Sequence, residues 1–211
     1  MKPLQVLGDV SDKSQCEKIV KKLDEHYDHQ LDVLVNNAGL FQPCNLAASA
    51  ALENYTKLMQ VNLDSAVTMT ILCLPLLRKS RNACVINISS NLHSKCIANG
   101  FAYCTAKAGM TMFTKCAAID LAADNIRVNS VSPGPVATLM STRCGMAESE
   151  FRTNVGRACL VNRVGESHEV ARMVLFLASP DSAFITGSDF VIDGGSSIKP
   201  EGKVMGSDGP K

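Results

Sequence analysis

Leu31-Asp32-Val33-Leu34-Val35-Asn36-Asn37-Ala38-Gly39 is the stretch whose character decides the fold. Its core, Val33-Leu34-Val35, is continuously apolar, whereas a strand with one wet face would place a polar residue at every second position. The run therefore suits a strand buried on both faces, the habit of parallel sheets covered by helices. Working outward, residues 4–10 form a short apolar run ending in Gly8-Asp9, followed by the helix-capping types Ser11 and Asp12. Cys16, Ile19, Val20, Leu23 and Tyr27 then recur at helical spacing with charged residues between them, so the order is strand, then helix over about 13–29. Downstream the alternation continues. Helical periodicity spans about 52–77, an apolar strand 84–88, a helix about 101–123 and a strand 126–131. Ser167-His168-Glu169 is expected to cap a further helix running to Leu177, and residues 189–192 form a last strand. Strands alternating with helices of this length predict linked βαβ units: one α/β domain over residues 1–195, with a doubly wound parallel sheet. Residues 196–211 are rich in Gly, Pro, Ser, Lys and Asp and are expected to be a disordered tail.

Composition narrows the function classes. The chain has 211 residues, 46% of them hydrophobic, enough for one substantial core. A formal net charge of +1 gives no electrostatic case for a nucleic-acid or anionic-membrane partner. Uninterrupted apolar runs such as 71–77 and 173–178 fall short of the roughly 20 residues a bilayer span needs, so no membrane crossing is expected. The start carries neither a secretory nor a transit signal, which makes a cytoplasmic location the expectation. Nine cysteines without a Cys-x-x-Cys pair read as small core residues in a reducing compartment, and no metal is expected.

Chemistry enters with Tyr103-Cys104-Thr105-Ala106-Lys107 on the helix about 101–123. The i, i+4 spacing stacks phenol and ammonium on one helical face. A phenol of ordinary pKa about 10 exchanges protons poorly near neutrality, and a fixed cation nearby favours its ionised form. Bringing it to about 7 takes roughly 4 kcal/mol at about 1.36 kcal/mol per unit. Ser90 follows the strand 84–88, at the carboxyl end where open α/β sheets bind ligands, and its hydroxyl can hold a substrate carbonyl.

Together with Asn36-Asn37-Ala38-Gly39, the mid-helix Asn62, the run from Asn129-Ser130 through Pro133-Gly134-Pro135-Val136-Ala137-Thr138, and Asp193-Gly194-Gly195, these motifs resemble the short-chain dehydrogenase/reductase family of NAD(P)-dependent oxidoreductases. The resemblance covers nearly all of residues 6–195 and implies a Rossmann-like sheet. It implies Tyr103 as general acid/base, Lys107 as its electrostatic partner and ribose donor, and Ser90 as the group orienting the substrate oxygen. Asn62 would hold a water linking Lys107 to solvent through a local helix distortion. Asp9 and Val10 would contact adenine, and Asn37, Ala38 and Gly39 would form the cofactor wall. Pro133, Gly134 and Val136 would shape the turn beside the nicotinamide, with Thr138 bonding its carboxamide or a phosphate. The expected cofactor is NAD or NADP, the expected substrate a small apolar carbonyl or alcohol, and the helices near 52–77 and 101–123 would join copies in a homo-oligomer.

The family's glycine-rich phosphate loop is not found before Asp9, so the fold is expected to be truncated at its N-terminus, with the first two strands and first helix absent. Loss of several hydrogen bonds and a helix-end contribution removes on the order of 5 kcal/mol of cofactor binding, about three to four decades of affinity. Two readings follow: an oxidoreductase of alcohols and ketones, or a non-catalytic truncated relative that acts as a binding or oligomerisation partner. The family's order also leaves strand 32–36 without a neighbour, and strand 4–10 is expected to close against it. Leu139, Met140, Met146, Phe151 and Leu160 form either an apolar lid or a helix packed on the core. His93 stands where the family often has glycine, lining the pocket or facing water.

Overall fold

The computed structural model describes residues 3–140 and 146–199. Within them lie six strands: β1 (Val33–Asn36), β2 (Cys84–Ile88), β3 (Arg127–Pro133), β4 (Val136–Ala137), β5 (Gly165–Glu166) and β6 (Asp189–Ile192). The main sheet has the order β1-β2-β3-β6 with every pair parallel, and β4 and β5 form a small parallel ribbon of their own. Register places Val35 beside Ile86 and Ile86 beside Asn129. The α/β architecture expected from sequence, a parallel sheet with helices on its faces, is the one observed; among the described residues the strand order runs one way and shows no reversal.

Alternation within β2 explains how both faces are used. Val85 points to one side, where Leu34 and Val128 meet Cys73 and Leu77 of α3 (Ser65–Leu77) and Ala117 and Ala118 of α4 (Phe101–Asp120). Cys84 and Ile86 point to the other, where Val131 packs with Leu177 of α5 (Ser167–Ala178). Each fully buried leucine here stabilises the fold by about 1.5–3 kcal/mol. Because β1, β2, β3 and β6 succeed one another in one direction, a helix on the second face gives the β3-to-β6 connection the opposite hand to those through α3 and α4, an exception to the usual rule.

The helix expected at 13–29 is α1 (Lys13–His26), whose N-cap Asp12 accepts a hydrogen bond from the Ser14 amide at 2.8 Å. The long helix at 52–77 is three pieces: α2 (Ala51–Met59), a π turn (Gln60–Asp64) and α3. By length and composition alone its 27 residues would pass for a membrane span, which the uninterrupted runs did not suggest. In the fold it is a core helix, with Leu58, Cys73, Leu76 and Leu77 buried. A buried polar chain also crosses the layers: Asn36 donates to Asn87 and Thr70, and Asn87 donates to Thr114.

Three expectations are corrected. Residues 4–10 form no strand and no ladder with β1; the segment runs beside α1, with Leu7 exposed and the Asp9 amide bonded to Gln15. A strand exists only through its neighbours' hydrogen bonds, and among the described residues none pairs with this one. The N-cap of α5 is Glu166, one residue before the expected triplet, and the triplet takes part through Glu169, whose side chain completes a reciprocal capping box with Glu166. His93 is no solvated loop residue; its side chain is 18% exposed and Nε2 lies 3.1 Å from Asp189 Oδ2. Of the expected tail, residues 196–199 are described and bonded to the body through Ser196, Ser197 and Lys199, and 200–211 lie outside the described residues.

Candidate active site

α4 presents Tyr103 and Lys107 one turn apart on its buried side, with Tyr103 8% exposed and Lys107 3%. Lys107 Nζ stands 5.7 Å from the Tyr103 ring centroid and donates to the Ile88 carbonyl at the end of β2, 2.7 Å away. Burial pushes its pKa down to about 8, because a desolvated ammonium is penalised relative to the neutral amine. Ser89 fixes the same helix from the strand end: its hydroxyl lies 2.9 Å from the Lys107 carbonyl, to which it donates, and 3.0 Å from the Thr111 hydroxyl.

Ser90 is the N-cap of the 3-10 turn Asn91–His93, where its Oγ accepts from the Leu92 amide at 3.2 Å. That bond uses an acceptor and leaves the hydroxyl proton free to point at a substrate oxygen. Leu92, carried on the same turn, packs into the cluster around Tyr103 with Leu40 and Phe41. Phe41 meets the Tyr103 ring edge to face at 5.2 Å. Strand end, turn and helix thus bring Ser90, Tyr103 and Lys107 to one end of the sheet.

The π turn carries the third helical contribution. Asn62 is fully buried and its amide grips one residue of the loop after β1: Oδ1 accepts from the Leu40 amide at 2.9 Å and Nδ2 donates to the Leu40 carbonyl at 2.8 Å. Nδ2 also bonds the Leu58 carbonyl. The helix distortion expected at Asn62 is present, and both its amide donors go to backbone carbonyls, so a water reaching Lys107 would have to be held by the remaining acceptors. The same loop bears Asn36-Asn37-Ala38-Gly39. A Cβ at Gly39 would lie 3.2 Å from Asn62 Oδ1 and 3.8 Å from Lys107 Nζ. Glycine keeps open the one space that Asn62, Lys107 and the loop share, which fits the approach of a nicotinamide ribose to the backbone.

The surroundings of Asp9 and Val10 are less closely built. Val10 lines a cleft of about 100 Å³ together with Asn37 and Ala38, while Asp9 is exposed and its carboxylate is held below the usual range by hydrogen bonds from Ser11. Across the site, Pro133 ends β3, Gly134 packs against Asp193, and Val136 sits in the β4 ribbon opposite Gly165. Thr138 is exposed, its Oγ1 accepting from the Met140 amide. Leu139 and Leu160 are exposed and Met140, Met146 and Phe151 half-buried, while residues 141–145 lie outside the described residues. Sequence reasoning missed Asn91, whose buried amide donates to Asp193 and Ser196.

A family profile described as enoyl-(acyl carrier protein) reductase matches residues 2–197. Over 186 residues the chain is 36% identical to the 3-oxoacyl-(acyl-carrier-protein) reductase FabG of Thermotoga maritima, covering 88% of this chain and 74% of that protein. It is 36% identical over 166 residues to a cyclopentanol dehydrogenase of Comamonas sp., covering 79% and 66% respectively. In structure it is similar to the aldohexose dehydrogenase of Thermoplasma acidophilum, with a TM-score of 0.87 and 28% identity, covering 94% of this chain and 80% of that one.

Proposed function

The chain belongs to the short-chain dehydrogenase/reductase family, and from that premise we propose that it interconverts a small apolar alcohol and its ketone with NAD or NADP. The observation that carries this reading is the convergence of Lys107, Asn62 and the side-chain-free Gly39 beside Tyr103. When bound, the cofactor supplies or accepts the hydride. Every other task falls to the chain. Ser90 donates its free hydroxyl proton to the substrate oxygen and fixes it near Tyr103. The Tyr103 phenol gives a proton to that oxygen in reduction and takes one in oxidation. Lys107, positively charged, stabilises the phenolate left behind and holds the nicotinamide ribose. Asn62 keeps the loop of Asn37, Ala38 and Gly39 against the cofactor and Oδ1 near a relay water, Asp9 and Val10 meet the adenine, and Pro133, Gly134, Val136 and Thr138 flank the nicotinamide.

Phe41 and Leu92 give the reacting end an apolar wall, which supports a hydrophobic carbonyl compound. The named relatives act on chemically different compounds, so the wall and not the family carries the substrate class. Assembly through α2, α3 and α4 is supported by exposed Leu52, Ile71, Met112 and Ile119. Free surface thiols at Cys96 and Cys116 suit a reducing, cytoplasmic setting.

The test is oxidation of NADH and of NADPH by the purified protein in the presence of a panel of apolar ketones. Ketone-dependent oxidation that vanishes in Tyr103→Phe, with cofactor binding retained, is the expected result. Absence of both turnover and binding up to millimolar cofactor would overturn the reading.

A further inference from the structure

Asp193 follows β6 and meets three loops at once. Its Oδ2 accepts from Asn91 Nδ2 at 3.2 Å, from Ser196 Oγ at 3.1 Å and from the Ser197 amide at 2.7 Å, and its Oδ1 accepts from the Gly195 amide at 2.9 Å. Asn91 is the residue after Ser90 and is buried, and its amide also reaches Ser196 Oγ at 2.8 Å. Lys95, beyond the same turn, donates to the Ser196 carbonyl. On a second side, a Cβ at Gly134 would fall 2.5 Å from Asp193 Cβ, so the Pro133-Gly134 turn lies directly on it. On a third, the Gly194 carbonyl accepts from the Leu160 and Val161 amides, which end the stretch that follows Thr138.

Gly194 and Gly195 both take positive φ, 59° and 78°, and a Cβ on either would strike Val161 or Leu160 at under 3 Å. The left-handed backbone favours glycine at both positions, and the Leu160 and Val161 side chains pack directly on the turn. Burial alone would raise the Asp193 carboxyl, but hydrogen bonds from Ser197, Asn91 and Gly195 outweigh it and hold the pKa at about 2. The group is a fixed anion throughout the working pH range, and charge-assisted bonds of this kind are the strong ones.

We propose that Asp193 is a positioning residue of this site: through Asn91 it fixes the turn that carries Ser90, and through the 193–197 turn it couples that placement to the Pro133-Gly134 turn and to residues 160–161. The proposal rests on the oxidoreductase reading for its catalytic consequence, but the coupling itself is a property of the fold. Asp193 touches no reacting atom and acts through Asn91.

Amide hydrogen exchange on the full chain tests the coupling without any cofactor. Asp193→Asn is expected to speed exchange by about tenfold or more at both the Leu92–His93 and Leu160–Val161 amides, with β2 and β3 unchanged. Asn91→Ala, which cuts only one arm, is expected to speed the first pair and spare the second. Steady-state rates with ketone are expected to show a lower kcat in both variants with the cofactor KM unchanged. Wild-type exchange at Leu92–His93 in Asp193→Asn, or in Asn91→Ala should the first variant exchange uniformly through loss of fold, overturns the proposal. Wild-type kcat in either variant while Ser90→Ala is inactive overturns it as well. A chain that turns over no ketone defeats the oxidoreductase reading instead, and the exchange result still decides the coupling.

Discussion

At the scale of single residues, the central tension is a lysine that must be charged to be useful and is buried where charge is penalised. Lys107 ionises at about 8 in the fold against 10.5 unperturbed. The unfolded chain therefore binds more protons between these values, and stability rises with pH across that window. Below about pH 8 the folded state bears the full penalty, which is relieved as pH climbs through 8 toward 10.5. Lys107→Met should accordingly raise unfolding stability at pH 7 by up to about 3 kcal/mol, the equivalent of the shift at about 1.36 kcal/mol per unit, while ending any turnover. Denaturant melts of both proteins at pH 7 and pH 10.5 check this: the gap should shrink at the higher pH, and a less stable variant at pH 7 would contradict it. Tyr103, Lys107 and Ser90 were legible in the sequence because i, i+4 spacing and a strand end are local facts. His93 was not. Its neighbour Asp189 belongs to the far edge of the sheet, and only the assembled topology brings them within 3.1 Å.

At the scale of elements, the helix 52–77 shows both the reach and the limit of periodicity. Its apolar pattern was readable from end to end, and a buried Asn62 marked where something other than packing was at work. The width of the distortion, Gln60–Asp64, was not readable, because one extra residue in a turn hardly disturbs a pattern this apolar. Asn62→Ala removes three side-chain hydrogen bonds and leaves the Leu40 amide and carbonyl short of partners. We expect a loss of about 1–3 kcal/mol in stability and faster exchange at the Leu40 amide, read by denaturant melts and mass-resolved exchange. Retained protection at Leu40 would contradict the role given to Asn62. The strand expected at 4–10 failed for the reverse reason: its apolar content was right, but a strand is defined by a partner, and composition carries no information about one. The β4 and β5 pair, two residues each, is too short to have a period at all.

At the scale of the whole molecule, β1 is an edge strand with the composition of a buried one. Val35 is 40% exposed beside a cleft, although its run of three apolar residues is of the kind that parallel sheets cover on both faces. Apolar edges of this type recruit other chains. Val35→Lys is expected to remove any concentration-dependent self-association that runs through this edge, beyond that proposed through α2, α3 and α4, while changing stability by less than about 1 kcal/mol; unchanged association in sedimentation velocity would leave those helices as the contact. The proposed chemistry likewise depends on the entire fold, since β2, the turn after Ser90, the π turn and α4 must all meet for one phenol to sense one ammonium. The chain makes that sensing directly visible, for it has three tyrosines and no tryptophan. Ultraviolet titration of the phenols should reveal a lowest-ionising group that loses its proton while Lys107 is still charged, that disappears in Tyr103→Phe and whose midpoint rises in Lys107→Met. If that lowest group survives Tyr103→Phe, or stays where it was when Lys107 loses its charge, the account of this site is wrong.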